Sequence, residues 1–119
     1  FHQRKVSDLE MRQEMNRSDL FVSTSLSEGF GLPILEAMSS GLPTLLSDIP
    51  VSREIAGDSS LYFSPKSAED LARNIMNLVH NPTLLKPFKV STSKLALEYS
   101  WKTTFLKTFE VYEKILHSM

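Results

Sequence analysis

The sequence predicts an α/β fold, with a short parallel sheet, flanking helices and a helical C-terminal tail. Two patterns carry that expectation. Between residues 19 and 64, short apolar β-forming runs alternate with helical stretches over short connections, as consecutive βαβ units do. Beyond residue 64 the pattern turns amphipathic and helical. At 119 residues the chain is the size of one domain with a core of its own.

Ser7 and Glu10 form a capping box that opens a helix over about 8–17, with Leu9, Met11 and Met15 as its apolar members. "DLFVST" (19–24) reads as a buried strand and 25–31 as a loop. "LPILEAMSS" follows as a helix from about Leu32, with Ile34, Leu35 and Met38 at helical spacing. Pro33 is allowed in its first turn and Gly41 stops it. "LPTLLS" (42–47) is a second strand, "IPVSREIAG" a short helix ended by Gly57, and "SLYFS" (60–64) a third strand. Ser67 and Asp70 cap a helix whose apolar face is Leu71, Ile75, Leu78 and Val79, broken at Asn81-Pro82. A further helix is expected over about 83–98, interrupted or delayed by Pro87. Ser100 caps the last one, where Trp101, Phe105, Phe109, Tyr112 and Leu116 form an aromatic stripe expected to pack against the sheet or a partner domain.

Composition closes off several functions. The formal net charge is -1 and the basic residues are scattered, which argues against nucleic acid as a partner. The chain has no cysteine, so disulfides, thiolate metal sites and cysteine nucleophiles are excluded, and a reducing compartment fits. No apolar run approaches the ~20 residues of a membrane span, and no signal segment opens the chain. His2, His80 and His117 lack ligand-like spacing, so no metal site is expected, and there is no Gly-x-Ser-x-Gly elbow. The first residue is Phe1, which suggests a piece of a longer polypeptide.

The chemistry concentrates in "SEGFGLPILEAM" (27–38). In open parallel sheets, ligands sit beyond the carboxyl ends of the strands, where loops lead into helices. Gly29 and Gly31 permit positive φ and leave no Cβ in the way of a ligand. The helix starting near Leu32 presents free N–H groups and the positive end of its dipole, a seat for phosphate. It is neither a P-loop nor a dinucleotide fingerprint. Glu28 and Glu36 would repel an anion, yet a carboxylate accepts hydrogen bonds from hydroxyls, and helical side chains lean back toward the N-terminus. A sugar nucleotide suits all these groups, with its diphosphate on the amides and its hydroxyls on the glutamates. The plainer alternative stays open at this point: Glu36 as a dipole-favoured surface residue and Gly29 and Gly31 as a sharp turn.

The run from Glu28 to Pro65 resembles the donor-binding signature of retaining GT-B glycosyltransferases of family 4, which use nucleotide-activated sugars. The matching residues are Glu28, Gly29, Phe30, Gly31, Pro33, Glu36, Ala37, Met38, Gly41, Pro43, Glu54, Gly57 and Asp58, and Asn81-Pro82 and "YSWKTTFLKTFEVYEKIL" fit the family's closing segment. The resemblance implies a partial Rossmann-like three-layer sandwich, half of a GT-B C-terminal domain. It implies that Glu28 contacts the donor sugar hydroxyls as the catalytic-site carboxylate. It also implies that the backbone amides of Phe30, Gly31 and Leu32 hold the distal phosphate or sugar, and that Glu36 accepts from the ribose hydroxyls. Glu54 is expected to be structural, capping or bracing the helix at 50–56, with a role in the site as the lesser alternative. No cofactor and no metal are implied, since the nucleotide sugar is the substrate.

Two departures matter. Thr24-Ser25 stands where the family has Pro-Ser, for which a small change in loop geometry is expected. The family's diphosphate-neutralising Arg and Lys lie before this segment, as does the acceptor-binding N-terminal domain. "FHQRKVS" resembles the last strand before the first helix, with Arg4 and Lys5 as surface charge. Residues 1–119 are therefore expected to be the C-terminal portion of the donor-binding domain, truncated on its N-terminal side. The expected activity is hexose transfer from a UDP- or GDP-hexose to a glycan or lipid-linked acceptor with retention, this chain alone being inactive. Self-association through the truncated sheet edge is expected. The expected location is cytoplasmic, peripheral at the inner face of the membrane in a full-length protein. A non-catalytic nucleotide-sugar-binding or assembly module is the alternative, and an epimerase of the same architecture a weaker one.

Overall fold

The computed structural model describes residues 5–119. The elements run α1 (Asp8–Arg17), β1 (Phe21–Ser23), α2 (Leu32–Ser39), β2 (Thr44–Ser47), α3 (Pro50–Ala56), β3 (Leu61–Phe63), α4 (Ala68–His80), α5 (Lys86–Ala96) and α6 (Trp101–Ser118). Short 3₁₀ turns at Gly57–Ser59 and Pro82–Leu85 precede β3 and α5. Of the strand expected in 1–7, residues 1–4 lie outside the described residues and 5–7 join no sheet. Pro87 delays its helix without interrupting it: it sits in the first turn of α5, where its absent N–H costs nothing.

The sheet is parallel in the order β1-β2-β3. Phe21 pairs with Thr44 and Ser23 with Leu46, while Leu45 pairs with Leu61 and Ser47 with Phe63. All four residues of the central β2 are buried. A strand covered on both faces has to present apolar side chains to each, and adjacent Leu45 and Leu46 point to opposite sides. Leu46 joins Ile34, Met38, Ile55, Ala56 and Ala96 from α2, α3 and α5. Leu45 joins Phe63, with Leu78 of α4 and Leu85, on the other face. These two clusters make the three-layer α/β sandwich that the sequence predicts.

The helix ends follow their capping residues. The Ser7–Glu10 box is complete, the two backbone-to-side-chain bonds measuring 2.8 and 3.2 Å. Ser67 accepts from the Asp70 amide at 3.1 Å, and the Asp70 carboxylate accepts from Ser64 N at 2.8 Å, tying α4 to the end of β3. Helix α2 closes in a Schellman arrangement: Leu42 N donates to Ala37 O at 3.1 Å and Gly41 N to Met38 O at 3.0 Å, with Gly41 at φ +70°. Leu42, Ala37 and Met15 then pack together, which anchors α1 against α2.

The last helix departs from expectation. None of the 18 residues of α6 is buried, and its aromatic stripe lies open rather than on the sheet. The tail is tied back just ahead of it, where the Tyr99 hydroxyl donates to the carbonyls of Glu54 and Ile55 at 3.2 and 3.3 Å. No described helix is long and apolar enough to cross a membrane.

Candidate functional site

The predicted site lies in the β1–α2 loop, at the carboxyl edge of the sheet. Its pivot is Gly31, the residue before α2, at φ +80° and ψ 42°. A side chain there would be strained in this left-handed conformation. Its Cβ would also stand 3.0 Å from Ile55 Cδ1 and 3.2 Å from Ile34 Cδ1. Glycine is thus demanded twice, by the turn and by the approach of α3. Gly29 differs from the sequence reading. The described glycines with positive φ are Gly31, Gly41 and Gly57, and a Cβ on Gly29 would meet nothing within 4 Å. What Gly29 provides is open space at the loop surface.

No side chain caps the start of α2. Gly31 O accepts from Ile34 N at 3.0 Å and Leu35 N at 3.3 Å, so the helix closes its own first turn. Helices α1, α4 and α6 each carry a serine cap, while α3 and α5, like α2, start without one. Pro33 has no N–H and Ile34 and Leu35 close on Gly31 O, so the amides left open at this edge, among the described residues, are those of Phe30, Gly31 and Leu32. Phe30 and Leu32 flank Gly31 and are 53% and 55% exposed.

Glu28 is half-buried in the same loop and held: Ser25 Oγ donates to its Oε1 at 2.7 Å. The Ser25 carbonyl in turn accepts from Ser47 Oγ at the end of β2. Glu36 is exposed and lies one turn into α2, on the wall of a cavity of about 540 Å³ between α1 and α2. Asp8, Arg12, Asn16, Ser39 and Ser40 supply the polar part of that wall. Glu28 and residues 29–32 do not line it. The structure therefore gathers Glu28, Gly29, Phe30, Gly31 and Leu32 in one loop, with Glu36 opening toward α1. Neither glutamate has a cationic partner among the described residues. A second cavity of about 460 Å³, mostly apolar, lies between α4 and α5 and shares none of these residues.

Sequence reasoning missed three polar groups at the same edge. Arg53 of α3 grips Asp48 at the end of β2 with two bonds of 2.7 and 2.8 Å, and its guanidinium lies 3.7 Å from the centre of the Tyr62 ring. The hydrogen bond from Arg53 holds the Asp48 carboxyl below its usual range and raises the arginine in return. Burial pushes the Tyr62 phenol up to about 12, and its hydroxyl donates to Gly57 O at 2.7 Å and Ser52 O at 3.3 Å. The expectation that Glu54 braces α3 is corrected: its side chain is exposed, and its contribution is the carbonyl that accepts from Tyr99. Lys5 is exposed, while Arg4 and His2 lie outside the described residues. No three His, Asp or Glu side chains group to hold a metal ion among the described residues.

Fold and loop together define a Rossmann-like α/β unit of the GT-B kind, with its candidate site beyond the strand ends. The model of the glycosyl transferases group 1 family matches residues 1–94, and the chain belongs to that family. It is similar to the serotype-specific mannosyltransferase WbdA of Escherichia coli, 37% identical over 103 residues that cover 87% of this chain and 13% of the relative. It is also similar to the O-antigen chain mannosyltransferase B of Escherichia coli, 31% identical over 93 residues, 78% of this chain and 24% of the relative. Among solved structures, the sucrose-phosphate synthase of Thermosynechococcus elongatus superposes with a TM-score of 0.77 at 20% identity, over 89% of this chain and 27% of that one. That likeness shows the fold. The chain spans less than a third of the length of the relatives it matches.

Proposed function

We propose that residues 1–119 supply the C-terminal portion of the donor-binding domain of a retaining family 4 glycosyltransferase. The reaction is transfer of a hexose from a UDP- or GDP-hexose to a glycan or lipid-linked acceptor. One observation carries the reading: α2 starts without a side-chain cap at a left-handed Gly31, with Glu28 and Glu36 on either side. The amides of Phe30, Gly31 and Leu32 receive the distal phosphate or the sugar, since a helix start favours anions. Glu28 accepts from the hydroxyls of the transferred hexose and Glu36 from those of the ribose. Mannose is the favoured hexose, because relatives similar to this chain are named mannosyltransferases.

The diphosphate also needs cations, which the longer polypeptide would provide. Charge-assisted contacts contribute about 1.5–3 kcal/mol each, so two fewer weaken binding by roughly 2–4 orders of magnitude. The isolated chain therefore binds nucleotide sugar weakly and transfers nothing. An acceptor-binding domain would cover the open stripe of α6. The edge of β1, which has no neighbour among the described residues, offers ladder groups to a second copy. The full-length enzyme would act in the cytoplasm, peripheral to the inner face of the membrane.

Titration with UDP and GDP, followed by NMR, tests the site: shifts confined to residues 25–36 are expected, and Glu36→Ala should remove much of the ribose contribution. Shifts elsewhere would move the site, and turnover by the purified 119-residue chain would sink the claim that it needs further groups.

A further inference from the structure

The carboxyl edge of the sheet holds Glu28 through two serines that the donor reading does not use. Ser47 is the last residue of β2 and is 1% exposed, so its hydroxyl has to find a partner inside the protein. That partner is the Ser25 carbonyl, across the gap to the neighbouring loop. Ser25 Oγ then donates to Glu28 Oε1 at 2.7 Å. The path runs from the central strand to a loop carbonyl and from that residue's hydroxyl to a carboxylate. The Oε2 atom of Glu28 has no hydrogen-bond partner among the described residues.

We infer that Ser25 and Ser47 are positioning residues: they fix the Glu28 carboxylate so that it meets the hydroxyls of the transferred sugar in one orientation. The inference rests on the donor reading above. A glutamate side chain on a loop loses rotamer freedom when it binds, and one already held loses less. The strand supplies rigidity that the loop lacks, because β2 is hydrogen-bonded on both sides. Ser25 acts directly on Glu28, and Ser47 acts one step behind it by fixing the Ser25 backbone. The effect falls on the sugar and spares the nucleotide, whose ribose is assigned to Glu36.

NMR titrations of the wild-type chain and of Ser25→Ala, Ser25→Thr and Ser47→Ala, with GDP and with GDP-mannose, test this together with carboxyl-carbon spectra of ligand-free, glutamate-labelled protein. Ser25→Ala is expected to weaken GDP-mannose about three- to tenfold while leaving GDP within about twofold, the cost of ordering one glutamate side chain that is no longer held. Ser25→Thr keeps the hydroxyl and restores the wild-type ratio, and Ser47→Ala shifts the ratio in the same direction by less. The Glu28 carboxyl resonance moves in Ser25→Ala and stays in Ser25→Thr. Equal loss of both ligands in Ser25→Ala, or failure of Ser25→Thr to rescue, would overturn the inference by pointing to general loop damage. If the wild-type chain binds neither ligand, the donor reading falls. The relay is then judged on the ligand-free spectra, where a Glu28 resonance indifferent to Ser25→Ala overturns it.

Discussion

Helices α2 and α6 each carry an apolar face, and only one of them uses it. In α2, eight residues long, Ile34, Ala37 and Met38 are all buried. In α6, eighteen residues long, Trp101 is 85% exposed and Leu116 70%, and Phe105 stacks on Phe109 at 6.0 Å. The difference lies in connectivity. A helix between two parallel strands is carried across the sheet and laid on it, while α6 follows a packed helix and joins no pair of strands among the described residues. Periodicity tells which side of a helix is apolar; only the chain path tells whether anything stands opposite. An unpacked helix of this length is marginal in water, held by the Ser100 cap and its own side-chain pairs.

Hydrogen exchange puts the widest gap on this contrast. Amides of β2 and α2 should exchange a thousandfold or more slowly than those of α6, by about the factor that separates global from local opening; protection of α6 equal to α2 would mean that it has found a partner, and light scattering would then show whether that partner is a second copy. Mutation narrows the gap to single side chains. Leu46→Ala should cost about 2–5 kcal/mol in denaturant unfolding, and Phe105→Ala within about 0.5 kcal/mol.

The two glycines of the loop repeat the contrast on a smaller scale. Gly31→Ala should cost about 1–3 kcal/mol, from its left-handed φ and the crowding of Ile55, against a few tenths for Gly29→Ala. Equal melting shifts for the two would break the distinction.

Smaller effects come from pH. Tyr62 is raised to about 12, so the folded state favours the neutral phenol. Its contribution is complete below the ordinary value of 10.0 and is lost as pH rises toward 12. Tyrosinate absorbance should show one phenol ionising last, and Tyr62→Phe should remove that component. The Asp48 shift runs the other way. Its contribution is present above the ordinary value of 3.8 and lost on acidification below it. Both partners are exposed, so Asp48→Asn should shift the melting point least of all and only at low salt.

Most of the fold was legible because its signals are local. Ser7 with Glu10, Pro33 before Ile34, Gly41 after Ser40 and Asn81-Pro82 each state a boundary in adjacent residues, and each boundary stands within one or two positions of where it was expected. The glutamates and the loop were legible for the same reason. What was not legible needs the sheet register. Ser47 meets Ser25, and Arg53 meets Tyr62, because β1, β2 and β3 lie side by side with their carboxyl ends level. No spacing in the sequence encodes those meetings. Gly29 shows the converse limit: glycine permits a left-handed turn without requiring one, and the turn was spent on Gly31.

The order of the strands has a further meaning for how the molecule forms. Each strand pairs with the next in the chain, so every pairing closes over a single helix and the shortest closure joins β2 to β3. Loop closure is cheapest for such neighbours, and folding can start there and spread toward β1 without a long search. The last edge to form is then β1, which still has room for another strand beside it. Growth of this sheet is additive, one helix and one strand at a time, and adding to it undoes nothing already made.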